Sequence, residues 1–366
     1  MADGAGPEVN PRCVAGNVES IMRFILILLA TVGLAGCDPF SEPDSLMDEY
    51  VARTARVLDQ SSSLSPPLQV PRIPRRRDRR LEMPSLEINM LDFLSLYGCE
   101  LQYVVGEKNA ILGKVMQPLN RLRYELRFIA AARDCLPEIE NEAVAESVAE
   151  AGDSKLESLP VAVWNATWGV EEVESLVTTS RGFLPVDTSG ATTTGLGTGV
   201  ERLNRRLVAL RDGDLTQDLD FIGNVHQQWQ AEHRAGQAFN TAVLVTARLQ
   251  DVAGLIDRRL ENRPLCFGGE PNEQARIVRD MFFNVYVAQV QPYLADLQRA
   301  RSDLILPLAE LARIQQDVVP ASFRFYERRV LHQGKGSIWQ LLEAAISEHT
   351  EAWQTLLEQC GMRPTP

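Results

Sequence analysis

Apolar residues recur at helical spacing along most of the chain, and this pattern predicts an all-α protein. The clearest stripe runs through Ser337–Cys360, where Leu342, His349 and Leu356 share one face. Ser337 suits an N-cap and Gly361 suits the position just after a helix. The segment therefore predicts a helix that begins and ends at these residues.

Similar stripes predict further helices, and strand-like alternation is confined to Leu86–Met90. A Thr/Gly/Pro-rich stretch, 182–199, predicts a loop, and 138–157 predicts a solvated acidic helix. The remaining predicted helices are 45–59, 116–132, 161–177, one starting at Val200, 221–260, and 273–316 with kinks at Pro292 and Pro307. We expect long antiparallel helices in a bundle-like single domain.

Residues 60–80 interrupt this helical pattern. The segment is first Ser/Pro-rich and then basic, and proline removes backbone donors and fixes φ. It predicts an extended Pro/Arg-rich strap or linker near the N-terminus of the domain.

An apolar run, Phe24–Leu34, follows a single arginine and precedes small residues, as in a secretory signal peptide over 22–36. The run is too short for a permanent membrane span. Leu34-Ala-Gly-Cys37 resembles the bacterial lipobox, which predicts that Cys37 is acylated and becomes the mature N-terminus. The alternatives are an ordinary secreted protein or an uncleaved anchor. Asp38 after the cysteine favours retention at the inner membrane.

Residues 1–21 fit this scheme poorly because acidic residues outnumber the one arginine where a signal peptide should be basic. We interpret them as an extension of the gene model and expect Met22 to be the start. The mature chain then divides into a lipidated tether, 37–44, and a helical envelope domain, 45–366.

The charge balance bears on partners. The chain has 37 Lys+Arg against 49 Asp+Glu and a net charge of −12, which argues against a nucleic-acid partner. One dense basic cluster stands out within the strap and consists of Arg72, Arg75, Arg76, Arg77, Arg79 and Arg80. It predicts contact with anionic lipid headgroups or a partner. The alternative is a strap salt-bridged to the protein's own acidic helices, such as 138–157.

Four cysteines remain after Cys13 and Cys37 are set aside, and an even number in an exported chain favours two disulfides. We expect Cys99–Cys135 and Cys266–Cys360, because each pair flanks helices that can fold back on themselves. Four buried free thiols are the alternative. No CxxC motif or Cys/His cluster is present, so we expect neither a metal nor a cofactor.

The common local signatures of catalysis are missing: the chain contains no Ser-x-x-Lys, Gly-x-Ser-x-Gly or His-Glu-x-x-His. We nominate no catalytic residue. His226 and His233 are expected on a polar helix surface, and His349 as a hydrogen-bonded core histidine. Trp164 and Trp168, four residues apart, are expected in the core rather than in a sugar-stacking platform.

Several motifs, in this order, resemble the proteobacterial lipoprotein family catalogued as domain of unknown function 3080. The resemblance implies secretion, lipidation and one long domain, but no activity and no functional residues. The motifs are the lipobox, Pro71–Arg77, Leu91–Leu101, Asn109–Met116, Tyr124–Phe128 and Gly334–Trp339.

The functional hypothesis is a lipid-anchored protein that faces the periplasm, contacts the membrane through its anchor and binds or organises an envelope protein without catalysis. One alternative is an envelope-acting enzyme whose residues leave no local motif. Another is a carrier that holds an apolar ligand between helices.

Overall fold

The computed structural model describes residues 42–84, 98–109, 116–186 and 190–362. Throughout these ranges the regular structure is helical and no strand occurs, which confirms the predicted all-α class. The alternating segment Leu86–Met90, the signal peptide and Cys37 lie outside the described residues. In chain order the α-helices are α1 (Pro43–Val57), α2 (Arg76–Arg79), α3 (Glu100–Asn109), α4 (Pro118–Cys135), α5 (Glu142–Thr167), α6 (Glu172–Leu176), α7 (Ala191–Arg211), α8 (Ile222–Ala231), α9 (Arg234–Asn262), α10 (Glu273–Met281), α11 (Gln291–Ala300), α12 (Leu306–Ile314), α13 (Ala321–Tyr326) and α14 (Ile338–Glu358).

Helices α1, α9 and α14 run in the same direction, whereas the sequence pattern predicts antiparallel helices. Phe239 packs on Trp339 at the starts of α9 and α14, and Leu265 N donates to Gln359 at their ends. The three helices form one bundle with α10, which runs the opposite way. Arg248 Nε donates to Asp48 near the start of α1 at 2.5 Å, and Arg259 reaches the Leu58 carbonyl after its end. At that same end Gln274 of α10 donates to the Val57 carbonyl at 3.2 Å. The apolar stripes of these helices meet in the main hydrophobic core.

Helices α10, α11 and α12 form one continuous rod with two wide-turn segments. π-Helix occupies Phe282–Val290 and Arg301–Ile305, and each segment directly precedes a helix whose second residue is Pro292 or Pro307. A proline lacks an N–H and its ring clashes with the carbonyl four residues earlier, so a wider turn accommodates it. A third π segment, Glu327–Leu331, continues α13.

Two helix boundaries predicted from the sequence are wrong. The predicted helix 221–260 is two helices, because Glu232 adopts an extended conformation between α8 and α9. The predicted loop 182–199 is helical from Ala191 onward. Gly197 in that helix serves a close approach, since a Cβ there would clash with the Asp303 carbonyl. Gly197 therefore allows two helical segments to pack closely and does not indicate a loop.

The predicted helix 138–157 and the first part of the predicted helix 161–177 are joined in the structure, because α5 passes through Pro160 and ends at Thr167. The rest of the second segment contains the separate helix α6. Asn141 caps α5 by accepting from Ala143 N at 3.0 Å. The helix was expected to be solvated over its first half, but Val144, Val148 and Lys155 are buried. They line a smaller second core shared with α3 and α4.

The structure brings the four cysteines together in the predicted pairs. Cys99 lies beside Cys135 with Cα atoms 5.8 Å apart, and Cys266 lies beside Cys360 at 5.2 Å. The first pair joins the start of α3 to the end of α4 in the smaller core. The second joins the loop after α9 to the end of α14, so each pair closes one end of a helical unit.

Candidate functional site

The strap, residues 60–80, crosses the other helices as extended chain apart from the single turn of α2. Gln60 donates to the Leu255 carbonyl at 2.9 Å, and Ser65 N donates to Asp251 at 3.0 Å. Arg248 returns a bond to the Ser65 carbonyl at 2.6 Å. The first half of the strap is therefore held along α9, on the side next to α1.

Arg79 fastens the second half of the strap. Its side chain is fully buried and donates to the carbonyls of Trp168 and Val170, both at 2.6 Å. These carbonyls follow the end of α5, where helical partners run out. An ion pair of 2.8 Å to Glu174 completes the set. Burial lowers the pKa of Arg79, while Glu174 favours its charged form.

Further bonds fix the chain on both sides of Arg79. Asn165 mimics a backbone partner, accepting from Leu81 N and donating to Leu81 O at 2.8 Å each. The Trp164 indole donates to the Arg79 carbonyl at 2.7 Å. Ser322 donates to the Asp78 carbonyl at 2.6 Å. The strap thus joins α5 to α13 and presents its remaining arginines outward.

An open groove of about 750 Å³ follows this part of the strap. One wall is the strap segment Arg72–Arg77, and the other contains Glu171, Glu174 and residues 177–180. Arg72 and Arg75 are exposed and form no ion pair within the described residues. We call this feature the arginine groove.

The six predicted arginines therefore separate into different environments. Arg79 is a buried structural residue, so its prediction as a surface contact is wrong. Arg76 pairs with Glu171 at 2.7 Å, and Arg77 pairs with its neighbour Asp78 at 3.5 Å. Arg80, like Arg72 and Arg75, is exposed without an ion pair in the described part of the chain. The strap is partly salt-bridged to the protein, but to residues 171 and 174 rather than to 138–157.

The arginine groove lies near the start of α1. Asn240 of α9 donates to the carbonyl of Thr179, in the groove wall, at 2.8 Å. Asp48, near the start of α1, accepts a hydrogen bond from Arg248, about two turns further along α9 than Asn240. About two turns of α9 therefore separate its contact with the groove wall from its contact with the first part of α1.

The histidines and tryptophans are placed by packing. His226 was expected on the surface, but it is 7% exposed and bonds the Ala166 carbonyl at 3.0 Å. Burial lowers its pKa. His233 is half-buried and bonds the Ser175 carbonyl. Trp164 and Trp168 pack against Phe323 in the core, as predicted.

Two polar centres lie inside the protein, away from the arginine groove. In the main core, Tyr50 bonds His349 Nε2 at 2.6 Å, and Trp353 donates to the Tyr50 hydroxyl at 2.9 Å. Beside the smaller core, Lys155 pairs with Glu125 at 2.6 Å. Among the described residues, no group of three or more His, Cys, Asp or Glu side chains could hold a metal ion.

The far wall of the arginine groove was not predicted from the sequence. Glu171 and Glu174 lie more than 90 residues from the strap, and acidic residues are too frequent in this chain for either to stand out. No local signal could have paired them with Arg76 and Arg79. Only the basic wall of the arginine groove, formed by the arginine cluster, could be detected from the sequence.

A family model described as "Protein of unknown function (DUF3080)" matches residues 47–364. The chain belongs to this family. In this DUF3080 protein the matched span contains the strap, the arginine groove and both cysteine pairs. No curated protein and no solved structure matches the chain. None of the helices in the described ranges combines the length and apolarity needed to cross a membrane.

Proposed function

We propose that this DUF3080 protein is a lipid-anchored envelope protein that faces the periplasm and works by binding rather than by catalysis. The support for anchoring is the sequence Leu34-Ala-Gly-Cys37 after an apolar run. Asp38 supports the inner membrane as its site. The acyl chains at Cys37 would hold the domain stably, because each buried CH₂ contributes about 0.8 kcal/mol.

The arginine groove is the observation that carries the binding role. Five residues lie between Cys37 and Pro43, and a chain of this length spans at most about 20 Å. An anchor at Cys37 therefore keeps the start of α1 near the membrane surface. Since about two turns of α9 separate the groove wall from the first part of α1, we infer that Arg72 and Arg75 face anionic lipid headgroups. Each cation near such a surface contributes about 1 kcal/mol.

The anchor is tested by the substitution Cys37→Ser. Without the thiol there is no acylation, so we expect the protein to lose its lipid modification and to be released or left unprocessed. Mass spectrometry of the N-terminal peptide and fractionation of envelopes measure both effects. Unchanged processing together with full membrane retention would contradict the anchor.

The groove is tested separately with the chain from Asp38 onward, exported under a cleavable signal that lacks the lipobox. Arg72→Glu with Arg75→Glu should weaken binding to phosphatidylglycerol vesicles at low salt by tenfold or more, roughly the effect of losing two cations. Salt at about 0.5 M should reduce the difference by screening. Vesicle flotation measures the bound fraction.

A matched control carries the same change in net charge. Arg205→Glu with Arg276→Glu alters two exposed arginines that form no ion pair among the described residues and lie outside the groove. We expect this control to bind nearly as well as the parent. An equal loss in both double variants would attribute binding to net charge alone and reject the groove.

A further inference from the structure

A second groove, of about 560 Å³, lies between α5, the end of α7 and the end of α12. We call it the aliphatic groove. Its volume falls within the range of about 300–1,000 Å³ that is usual for small-ligand sites. Aliphatic side chains without aromatic rings line it, including Leu156, Leu159, Val163, Leu207, Leu210 and Ile314.

The floor and the mouth of the aliphatic groove differ in exposure. Leu159, Leu207 and Leu210 are at most 5% exposed and also belong to the main core, so they form a packed floor. Leu156 is 37% exposed at the mouth. An apolar chain laid along the groove would cover Leu156 and gain contact with a floor that is already in place, without rearranging the core.

Charged groups of both signs stand at the rim. Arg133 and Arg211 supply two guanidinium groups, and Glu157 and Asp317 supply two carboxylates. Arg133, Glu157 and Asp317 form no ion pair within the described residues. Arg211 forms an ion pair there with the neighbouring exposed Asp212 at 3.3 Å. Guanidinium groups favour phosphate oxygens, and carboxylates favour an ammonium group.

We infer that the aliphatic groove binds a single-chain zwitterionic amphiphile of the lysophosphatidylethanolamine type. The acyl chain occupies the aliphatic floor between α5 and α7. The phosphate meets Arg133 and Arg211, and the ammonium group meets Glu157 and Asp317. A purely anionic head would leave the two carboxylates unmatched, and a neutral head would use none of the four charges.

The test uses the purified full chain in phosphatidylcholine nanodiscs with a lysophosphatidylethanolamine that carries a diazirine on its acyl chain. After illumination, peptide mass spectrometry should locate the adduct on the α5 and α7 segments that line the groove. Unlabelled lysophosphatidylethanolamine should compete at about tenfold lower concentration than palmitate or palmitoylglycerol, the difference expected for matching the rim charges.

Three variants examine the groove itself. Leu156→Glu should lower the adduct yield about tenfold by placing a charge at the apolar mouth. Because Leu156 is partly exposed, the glutamate remains hydrated and the variant should still fold. Leu64→Glu is the matched control at an exposed leucine of the strap, and it should leave the yield unchanged. Arg133→Gln with Arg211→Gln should abolish the preference for the phosphate head while palmitoylglycerol still competes.

The remaining outcomes overturn the inference. Adducts spread over the surface, or equal losses in Leu156→Glu and Leu64→Glu, would remove the groove as a binding site. Competition by palmitate as strong as that of lysophosphatidylethanolamine would reject the zwitterionic head. If the parent protein forms a dimer and gives no adduct in the aliphatic groove, the occupant of the groove is a second copy of the chain. None of these results depends on whether Cys37 is acylated.

Discussion

The two buried polar centres, Lys155–Glu125 and Tyr50–His349, satisfy their buried polar atoms differently, one with an ion pair and the other with a neutral hydrogen bond. Lys155 and Glu125 lie beside the smaller core, 2% and 0% exposed, and form an ion pair. Tyr50 and His349 lie in the main core, are equally buried, and form a neutral hydrogen bond. Both centres remove polar atoms from water, but only the first contains charged groups.

The surroundings explain which centre keeps its charge. Burial lowers the pKa of Lys155, but the Glu125 carboxylate opposes this, and the ring faces of Tyr124 and Phe128 lie 5.0 and 4.7 Å from the ammonium. In the described part of the chain no such anion pairs with His349, and burial lowers its pKa to about 3. Burial likewise raises the pKa of Tyr50. Of these two centres, only the one that contains a buried counter-charge keeps its charge.

The largest expected effect comes from breaking the ion pair on one side. Glu125→Ala leaves the Lys155 ammonium without its partner, and a buried unpaired charge destabilises by about 3–5 kcal/mol. Urea unfolding followed by circular dichroism measures the change. Glu125→Leu combined with Lys155→Met is the control. It removes both buried charges and leaves only Arg121, the second cation that pairs with Glu125, whose side chain is 21% exposed and can be hydrated. It should stay within about 1–2 kcal/mol of the parent. If the double variant is as unstable as the single one, packing rather than charge explains the loss.

The neutral centre should be revealed by pH. The pKa of His349 in the folded protein, about 3, lies below the usual value of 6.5, so between these values the unfolded chain binds a proton that the folded protein does not. The free energy of unfolding therefore has its full value, as far as His349 is concerned, above about pH 6.5. It falls as the pH is lowered, by about 1.4 kcal/mol per pH unit for one proton. Urea unfolding between pH 4 and pH 7 measures the slope.

Two variants assign that slope to its residue. His349→Gln removes the titrating group and should flatten the dependence by about one proton. His332→Gln changes an exposed histidine and serves as the comparison. Part of the slope should remain, because burial also lowers the pKa of His226. An unchanged slope in His349→Gln would show that other groups are responsible for all of it.

The smallest effect concerns a single hydroxyl. Tyr50→Phe removes the group that bonds both His349 and Trp353, and we expect a loss of about 1–2 kcal/mol. Tyr326→Phe provides the contrast, since the Tyr326 hydroxyl is buried and has no hydrogen-bond partner among the described residues. Its removal should be neutral or slightly stabilising. Equal effects in the two variants would mean that the hydrogen bonds of Tyr50 add nothing to stability.

The parts of the fold that could be predicted are those with local signals. Ser337 caps α14 by accepting from Gln340 N at 3.1 Å, and Gly361 follows that helix with a φ of 66°, as expected from the sequence. His349 is a hydrogen-bonded core residue, as its place on the apolar stripe suggested. Its partner Tyr50 could not be predicted, because 299 residues separate them.

The errors arise where tertiary contacts override local composition. Lys155 is buried in a helix whose acidic, Ala-rich sequence predicts solvation, and its partner Glu125 lies on another helix. Arg79 resembles its neighbours in sequence, yet it alone among the six arginines meets the open carbonyls after α5. In the candidate site, the basic wall could be found from spacing, while the acidic wall depends on the fold.

The bond between Tyr50 and His349 also bears on the order in which the protein can be assembled. Helix α1 packs between chain segments that are made much later, including α14 near the C-terminus. In a chain delivered from its N-terminus, α1 emerges first and finds its final neighbours last. Closing so long a loop is entropically slow. The beginning of the domain must therefore wait, with its apolar face uncovered, until α14 has been synthesised.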